Sequence, residues 1–273
     1  AFRRRSNSEG KKGMIVKMEK RKEKEEKKIW EDQVEGRNAV MELLLSERDV
    51  NRIWIAKGEK HGSIYKIIGI AKERKIPIVE VERGKINQMA QTENAQGVIA
   101  TVPPFNYQTI DAMLALAKER NEDPFLLLLD GIEDPHNLGS IIRTAETAGV
   151  HGVIIPKRRS VAVNSTVSKT SAGAVEHMKI ARVSNLNETI RNLKEKGLWI
   201  VGTDMHTDTY YYKQDLKGPI AIVIGSEGFG MSELVRKNCD FLVKIPMKGK
   251  VTSLNASVSA GIVMYEAVRQ RNK

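Results

Sequence analysis

Cysteine is nearly absent from this sequence and long apolar runs are missing, and each lack excludes a class of protein. Cys239 is the single cysteine among 273 residues, so the chain has neither an internal disulfide nor a zinc site built on several cysteines. No run approaches the ~18 consecutive apolar residues that a membrane-spanning helix needs. The first 30 residues are charged and lack the apolar core of a secretory signal. We therefore expect a cytosolic protein that does not span a membrane.

Positive charge is concentrated at one end of the chain. The net charge is +11 at pH 7, and residues 1–30 contain twelve Lys and Arg against five Asp and Glu, so seven of these charges lie there. Low hydrophobicity with high charge predicts that this segment is disordered or forms a frayed helix. Such an arm suits salt-sensitive contacts with the phosphates of a nucleic acid, and a solvated tail is the alternative.

Residues 31–103 alternate between short strand and helix patterns, which predicts a small α/β domain. The predicted helices cover residues 36–45, 64–75 and 84–90, and the predicted strands cover residues 52–56, 77–81 and 97–102. This unit carries no cluster of residues typical of catalysis, so we interpret it as a binding domain. Residues 104–122 follow as a linker, which begins near a Pro-Pro pair, and a bridging helix at 109–119.

Residues 123–273 predict a second, doubly wound α/β domain. The continuous apolar runs at 125–129 and 220–224 are typical of strands buried on both faces of a parallel sheet. Further strands are predicted at 152–155, 198–203 and 241–245, and further helices at 165–174, 186–196, 231–237 and 255–269. Between the predicted strands 125–129 and 152–155, one apolar helix face is formed by Leu138, Ile141, Ile142 and Ala145. Arg143 lies roughly 140° from Leu138 around that helix and points away from the core.

Three polar, glycine-containing segments follow predicted strands of this second domain. They are residues 134–139 with Arg143, residues 225–230, and residues 245–257. Ligands of open α/β sheets bind where strands end and helices begin. We therefore expect the three segments to build one site.

Several residues in these segments have both a structural and a functional interpretation. Asn137, Ser253 and Asn255 stand at predicted helix starts, where each is either a cap or a ligand-facing group. Arg143 is either a surface residue or a two-donor contact for a phosphate. The glycines of residues 225–230 indicate close main-chain approach and positive φ, although a tight turn explains them equally well.

Together and in this order, the motifs resemble those of the SpoU/TrmH family of RNA ribose 2'-O-methyltransferases. The matching stretches are residues 137–139 with 143–145, residues 224–230, and residues 245–247 through 253–257. The resemblance covers residues 123–273 and implies a trefoil-knotted α/β methyltransferase domain, bound S-adenosylmethionine and a homodimer. Residues 31–103 then look like the small RNA-binding domain of the members that act on large-subunit ribosomal RNA.

The resemblance also implies roles for individual residues. Thr203, Gly225, Ile245 and Leu254 would bind the cofactor, largely through main-chain groups, and no metal is required. Arg143 would activate the ribose hydroxyl. Four further residues would orient Arg143, the ribose and the cofactor, namely Asn137, Glu227, Ser253 and Asn255. Because a guanidinium has a pKa above about 12 and is a poor base, Arg143 either activates the hydroxyl or holds the adjacent phosphate.

The favoured function is 2'-O-methylation of a guanosine in 23S ribosomal RNA, because the chain has the extra N-terminal domain. The alternatives are the same reaction on transfer RNA and a non-catalytic RNA-binding protein with the same fold. A nicotinamide-dependent dehydrogenase is disfavoured because GxGxxG is missing after the first strand of either domain.

Overall fold

The computed structural model describes residues 33–46, 48–58 and 62–272, so the predicted basic arm lies outside the described residues. The first part of the chain forms a four-stranded mixed sheet with the order β1-β4-β2-β3. Its strands are β1 (Gln33–Glu35), β2 (Arg52–Ala56), β3 (Ile78–Val81) and β4 (Val98–Thr101). β4 pairs antiparallel with β1 and β2, and β2 pairs parallel with β3.

Helices cover both faces of this small sheet. They are α1 (Arg37–Leu45), α2 (Ser63–Glu73) and α3 (Arg83–Met89). α1 and α2 bury their apolar residues against β2 and β4 on one face, while Ile86 and Met89 of α3 pack on the other. The predicted strands and helices of this region are all present, with ends shifted by no more than two residues.

The second part of the chain forms a six-stranded sheet with the order β10-β8-β9-β5-β6-β7, and every pairing in it is parallel. Its strands are β5 (Phe125–Asp130), β6 (Gly152–Pro156), β7 (Ile180–Val183), β8 (Trp199–Thr203), β9 (Ile220–Gly225) and β10 (Phe241–Val243). The apolar runs predicted as doubly buried strands are β5 and β9, which lie side by side near the centre. The prediction of a parallel sheet is confirmed.

Two layers of helices enclose this sheet. They are α4 (Ile110–Glu119), α5 (Pro135–Thr147), α6 (Ser165–Thr170), α7 (Leu186–Glu195), α8 (Glu233–Asn238) and α9 (Ala256–Arg271). α5, α6 and α9 share one core with the side chains of Leu127 and Leu129, whereas α4, α7 and α8 share the opposite core with Leu126 and Leu128. Helices on both faces confirm the doubly wound arrangement. Within the described ranges, none of the helices combines the length and the apolar composition of a membrane span.

Two predicted elements were too long, and two short strands were missed. The helix predicted at residues 165–174 ends at Thr170, because Ala172 and Gly173 adopt φ values of 52° and 87°, and a 3-10 turn (Ala174–Glu176) follows. The strand predicted at 241–245 ends at Val243. The short strands β1 and β7 were not predicted.

The two α/β units are in contact through α6. Ser165 Oγ donates to Gln91 Oε1 at 2.5 Å, and Lys169 Nζ donates to Thr92 Oγ1 at 3.0 Å and to the Asn94 carbonyl at 2.5 Å. The acceptors all belong to the loop between α3 and β4. Since α6 packs directly on α5, this helix is one route by which the first unit reaches the neighbourhood of the predicted site.

Candidate active site

A cavity of about 210 Å³ opens where β8, β9 and β10 end. These are parallel neighbours, so their carboxyl ends meet at one edge of the sheet. The predicted site residues that line the cavity are Thr203, Gly225, Glu227, Ile245, Ser253 and Leu254. The structure therefore brings all four predicted cofactor-binding residues to one cavity, along with two of the predicted catalytic residues.

The glycine loop at residues 225–230 forms one wall of this cavity. A Cβ atom on Gly225 would lie less than 3 Å from the Gly230 carbonyl carbon and the Met231 nitrogen, so only glycine fits there. Gly228 and Gly230 have φ values of 83° and 68°, which confirms the predicted positive φ. Gly225 is buried and the loop folds back on its own main chain, where Ser226 and Gly230 exchange two main-chain hydrogen bonds of 2.9 Å.

A hydrogen-bonded chain of three side chains joins the three predicted segments. Asn255 Nδ2 donates to Asn137 Oδ1 at 2.8 Å, and Asn137 Nδ2 donates to Glu227 Oε2 at 3.4 Å. These residues stand 118 and 90 positions apart in the sequence. The carboxylate of Glu227 is thereby oriented beside the cavity, and the expectation that the three segments meet is confirmed.

The capping interpretation of Asn137 is wrong, whereas that of Asn255 is confirmed. α5 begins two residues earlier than Asn137, at Pro135, and Asp134 is its N-cap because its Oδ1 accepts from the His136 nitrogen at 3.0 Å. Asn255 caps α9 by accepting from the Ser257 nitrogen at 2.9 Å while its amide group donates to Asn137. One side chain therefore fixes both the start of α9 and the position of Asn137.

Arg143 stands apart from this chain of side chains. It lies on the exposed side of α5, as its angle around the helix predicted, and it lines neither the cavity nor the second cavity beside it. Its guanidinium makes no hydrogen bond or ion pair with the residues that the structure describes. The structure thus leaves Arg143 free to contact a group that comes from outside the chain.

Sequence reasoning missed a charged pair on the cavity wall. Arg236 Nε donates to Asp204 Oδ2, and both residues line the cavity. Burial raises the pKa of Asp204, but its hydrogen bonds from Arg236 and the His206 nitrogen outweigh that effect and lower it overall. Asp204 directly follows the predicted strand 198–203, and that position was the available signal.

A second cavity lies on the other side of the glycine loop. Its lining includes Asn137, Glu227 and Arg159, so Glu227 lies on both cavities and Asn137 on the second alone. Among residues 33–46, 48–58 and 62–272, no group of three or more His, Cys, Asp or Glu side chains is arranged to hold a metal ion.

Comparison with known proteins identifies the family. Residues 124–265 match the SpoU rRNA Methylase family, and residues 33–108 match the family described as RNA 2'-O ribose methyltransferase substrate binding. YacO of Bacillus subtilis (strain 168), which is named as a TrmH family tRNA/rRNA methyltransferase, is 50% identical over 241 residues, or 88% of this chain and 96% of the relative.

Solved structures agree with this assignment. The SpoU methyltransferase AviRb from Streptomyces viridochromogenes, crystallised with the cofactor AdoMet, superposes with a TM-score of 0.75 at 25% identity, covering 90% of this chain and 92% of its own. The A. aeolicus TrmH/SpoU tRNA modifying enzyme superposes with a TM-score of 0.51 at 26% identity, covering 59% of this chain and 84% of its own. The chain is an RNA methyltransferase that belongs to the SpoU rRNA methylase family.

Proposed function

We propose that this enzyme transfers a methyl group from S-adenosylmethionine to the ribose 2'-hydroxyl of a guanosine in 23S ribosomal RNA. The observation that carries the proposal is the hydrogen-bonded chain Glu227–Asn137–Asn255 at the edge of the cavity. It holds the Glu227 carboxylate on the cavity wall with the help of two amides, at the strand ends where a ligand of this fold binds. We propose cytoplasmic action as a homodimer, with residues 31–103 as the RNA-binding domain and residues 123–273 as the knotted catalytic domain.

The cavity fits the proposed cofactor. AviRb was crystallised with AdoMet, and the four residues proposed to hold it here, Thr203, Gly225, Ile245 and Leu254, line one cavity. Main-chain groups of the lining segments at Gly225, Ile245 and Leu254 would pair with the polar edge of adenine and with ribose hydroxyls. When bound, the cofactor supplies a methyl group that its sulfonium has already activated.

The side chains of the site would position the RNA. A ribose hydroxyl is a weak nucleophile near neutral pH, and holding it in line with the methyl group lowers the barrier by several kcal/mol, on the order of 7 or more in well-oriented systems. Glu227 and Asn137 are the oriented acceptor and donor that would hold the ribose, with Ser253 on the cavity wall. The exposed guanidinium of Arg143 would contact the phosphate next to that ribose, either in its own subunit or at the site of a second subunit.

The preference for ribosomal over transfer RNA rests on the first α/β unit. The A. aeolicus tRNA modifying enzyme matches only 59% of this chain, whereas AviRb matches 90%. The first unit also matches the family described as RNA 2'-O ribose methyltransferase substrate binding, which supports a role for it in binding the RNA. An unpaired target nucleotide would reach the cavity at the lowest cost, because its base need not be unstacked from a helix.

Methylation of purified RNA with labelled S-adenosylmethionine tests the proposal. We expect label in 23S ribosomal RNA and, after digestion to nucleosides, in 2'-O-methylguanosine by mass spectrometry. Label confined to transfer RNA would contradict the substrate, and label on a base would contradict the reaction. The variant Arg143→Ala should lose at least 100-fold in rate, roughly the 3 kcal/mol that one charged transition-state contact supplies, while cofactor affinity by calorimetry stays the same.

A further inference from the structure

The pair Asp204–Arg236 occupies a wall of the cavity and has no part in the function proposed above. Asp204 directly follows β8, and its main-chain nitrogen donates to the Val243 carbonyl at 2.9 Å. Its side chain is only 7% exposed, whereas that of Arg236, on α8, is 42% exposed. The carboxylate is therefore part of the wall itself, and the guanidinium reaches over it towards solvent.

The two side chains keep unused hydrogen-bonding capacity that faces a ligand. Only Nε of Arg236 bonds to Asp204, so both terminal nitrogens of the guanidinium make no hydrogen bond with the described residues. These two parallel donors match the two oxygens of a carboxylate. Asp204 Oδ1 accepts from the His206 nitrogen at 2.8 Å, and each carboxylate oxygen can accept one further bond.

Two other charged residues of the cavity wall, Lys244 and Glu227, each have a nearby partner. Lys244 lies 3.8 Å from an oxygen of Asp208 and stacks over the ring of Tyr210 at 5.3 Å. Glu227 accepts from Asn137 on the opposite side of the glycine loop. Arg236 differs from Lys244 in offering two parallel donors, and Asp204 stands directly beside it.

The proposed cofactor carries two opposite charges on one carbon atom, in its amino-acid end. Main-chain groups satisfy neutral adenosine, but a full charge that leaves water needs a charged partner. We propose that Arg236 binds the carboxylate of this amino-acid end and that Asp204 binds its ammonium group. The assignment rests on S-adenosylmethionine being the cofactor, and it adds the residues that select the amino-acid end over a plain adenosine thioether.

Two ligands that differ in this end alone test the assignment. S-adenosylhomocysteine keeps the amino-acid end, and 5'-methylthioadenosine has a methyl group in its place. By calorimetry we expect Arg236→Ala to weaken S-adenosylhomocysteine by about 10- to 100-fold, as for other hydrogen bonds to charged groups, and to leave 5'-methylthioadenosine unchanged. Arg236→Lys keeps the charge but not the paired donors, so its affinity for S-adenosylhomocysteine should lie between those of Arg236→Ala and the wild type. Asp204→Asn should also weaken only the first ligand.

The neighbouring residue on the same helix provides the control. Lys237 pairs with Glu233 at 2.6 Å and does not line the cavity, so Lys237→Ala removes one positive charge from α8 without touching the pair. It should leave both affinities unchanged, and thermal denaturation verifies that every variant is folded. Equal weakening of both ligands by Arg236→Ala, or no weakening of either, would overturn the assignment. If neither ligand binds the wild type, the proposed cofactor is wrong, and the assignment falls with it.

Discussion

Asn137 shows how far residue-level reasoning from the sequence reaches. Its place near a predicted helix start correctly marked it for attention, but Asp134 followed by Pro135 is the stronger start signal and takes the capping role. The functional interpretation depended on Asn255 and Glu227, which are distant in sequence. Local pattern can nominate such a side chain, whereas its partners follow only from the sheet that brings three strand ends together.

A buried histidine makes stability depend on pH. His151 is 1% exposed, its Nδ1 accepts from the Phe125 nitrogen at 3.0 Å, and its Nε2 lies 3.0 Å from Glu122 Oε2. Burial lowers the pKa of His151, and the interaction with Glu122 offsets this only in part. As the pH falls below about 6.5, the unfolded chain binds a proton that the folded chain refuses. We therefore expect the free energy of unfolding to decrease from pH 7 to pH 5.

Urea denaturation of the wild type and of His151→Asn at several pH values measures this effect. The asparagine carbonyl can accept from the Phe125 nitrogen but does not titrate, so the variant should lose less stability between pH 7 and pH 5 than the wild type. Parallel pH profiles for the two proteins would show that another group is responsible.

At the scale of elements, apolar patterns predicted the strands and helices whose partners are apolar. β1 was not predicted because two of its three residues are polar, Gln33 and Glu35, although both are buried. Glu35 is tolerated there because its carboxylate accepts from the Gln91 and Thr92 nitrogens at 2.6 and 3.1 Å. α6 was predicted too long because Gly173, where a Cβ would meet Glu42, marks a contact between the two units. Both errors come from long-range contacts.

The packing of α5 on α6 depends on a glycine. A Cβ on Gly139 would lie 2.6 Å from Thr170 Cβ and 3.0 Å from the Val167 carbonyl oxygen. Since a main-chain oxygen cannot move aside cheaply, we expect Gly139→Ala to lower the free energy of unfolding by about 1–3 kcal/mol, despite the higher helix propensity of alanine.

Gly261 in the interior of α9 is the matched control. A Cβ there would lie 3.6 Å from Thr144 Cγ2, an ordinary contact. Gly261→Ala should therefore stabilise the protein by about 0.5–1 kcal/mol through helix propensity alone. Thermal denaturation of both variants makes the comparison, and a similar effect of the two substitutions would contradict the close packing of α5 on α6.

At the scale of the whole molecule, an ion pair fastens the first α/β unit to the second. Arg48 Nη1 lies 2.9 Å from Glu176 Oε1, and the Glu176 side chain is only 2% exposed. Burial raises the pKa of Glu176, while Arg48 acts against that rise. Arg48 also donates to the Pro103 carbonyl at 3.0 Å and covers the ring of Phe105, so it holds the connecting segment as well.

Removal of the Arg48 guanidinium should leave the buried Glu176 carboxylate without its charged partner. We expect Arg48→Met to lower the free energy of unfolding by about 3 kcal/mol, measured by urea denaturation near pH 8. Addition of Glu176→Gln to that variant should recover part of the loss, because the contacts with Pro103 and Phe105 are missing from both proteins and only the stranded charge differs. A double variant no more stable than the single one would show that the ion pair contributes little.

The position of β1 has a practical consequence for shortened proteins. Deletion of the basic arm is the obvious route to its role, but a cut placed only a few residues too late would also remove Gln33 and Glu35. The loop at residues 91–94 would then lose the carboxylate that gathers its amide groups, and Lys169 would lose ordered acceptors. The properties of a truncated enzyme that begins after Glu35 would therefore reflect a disrupted contact between the two α/β units as well as the missing arm.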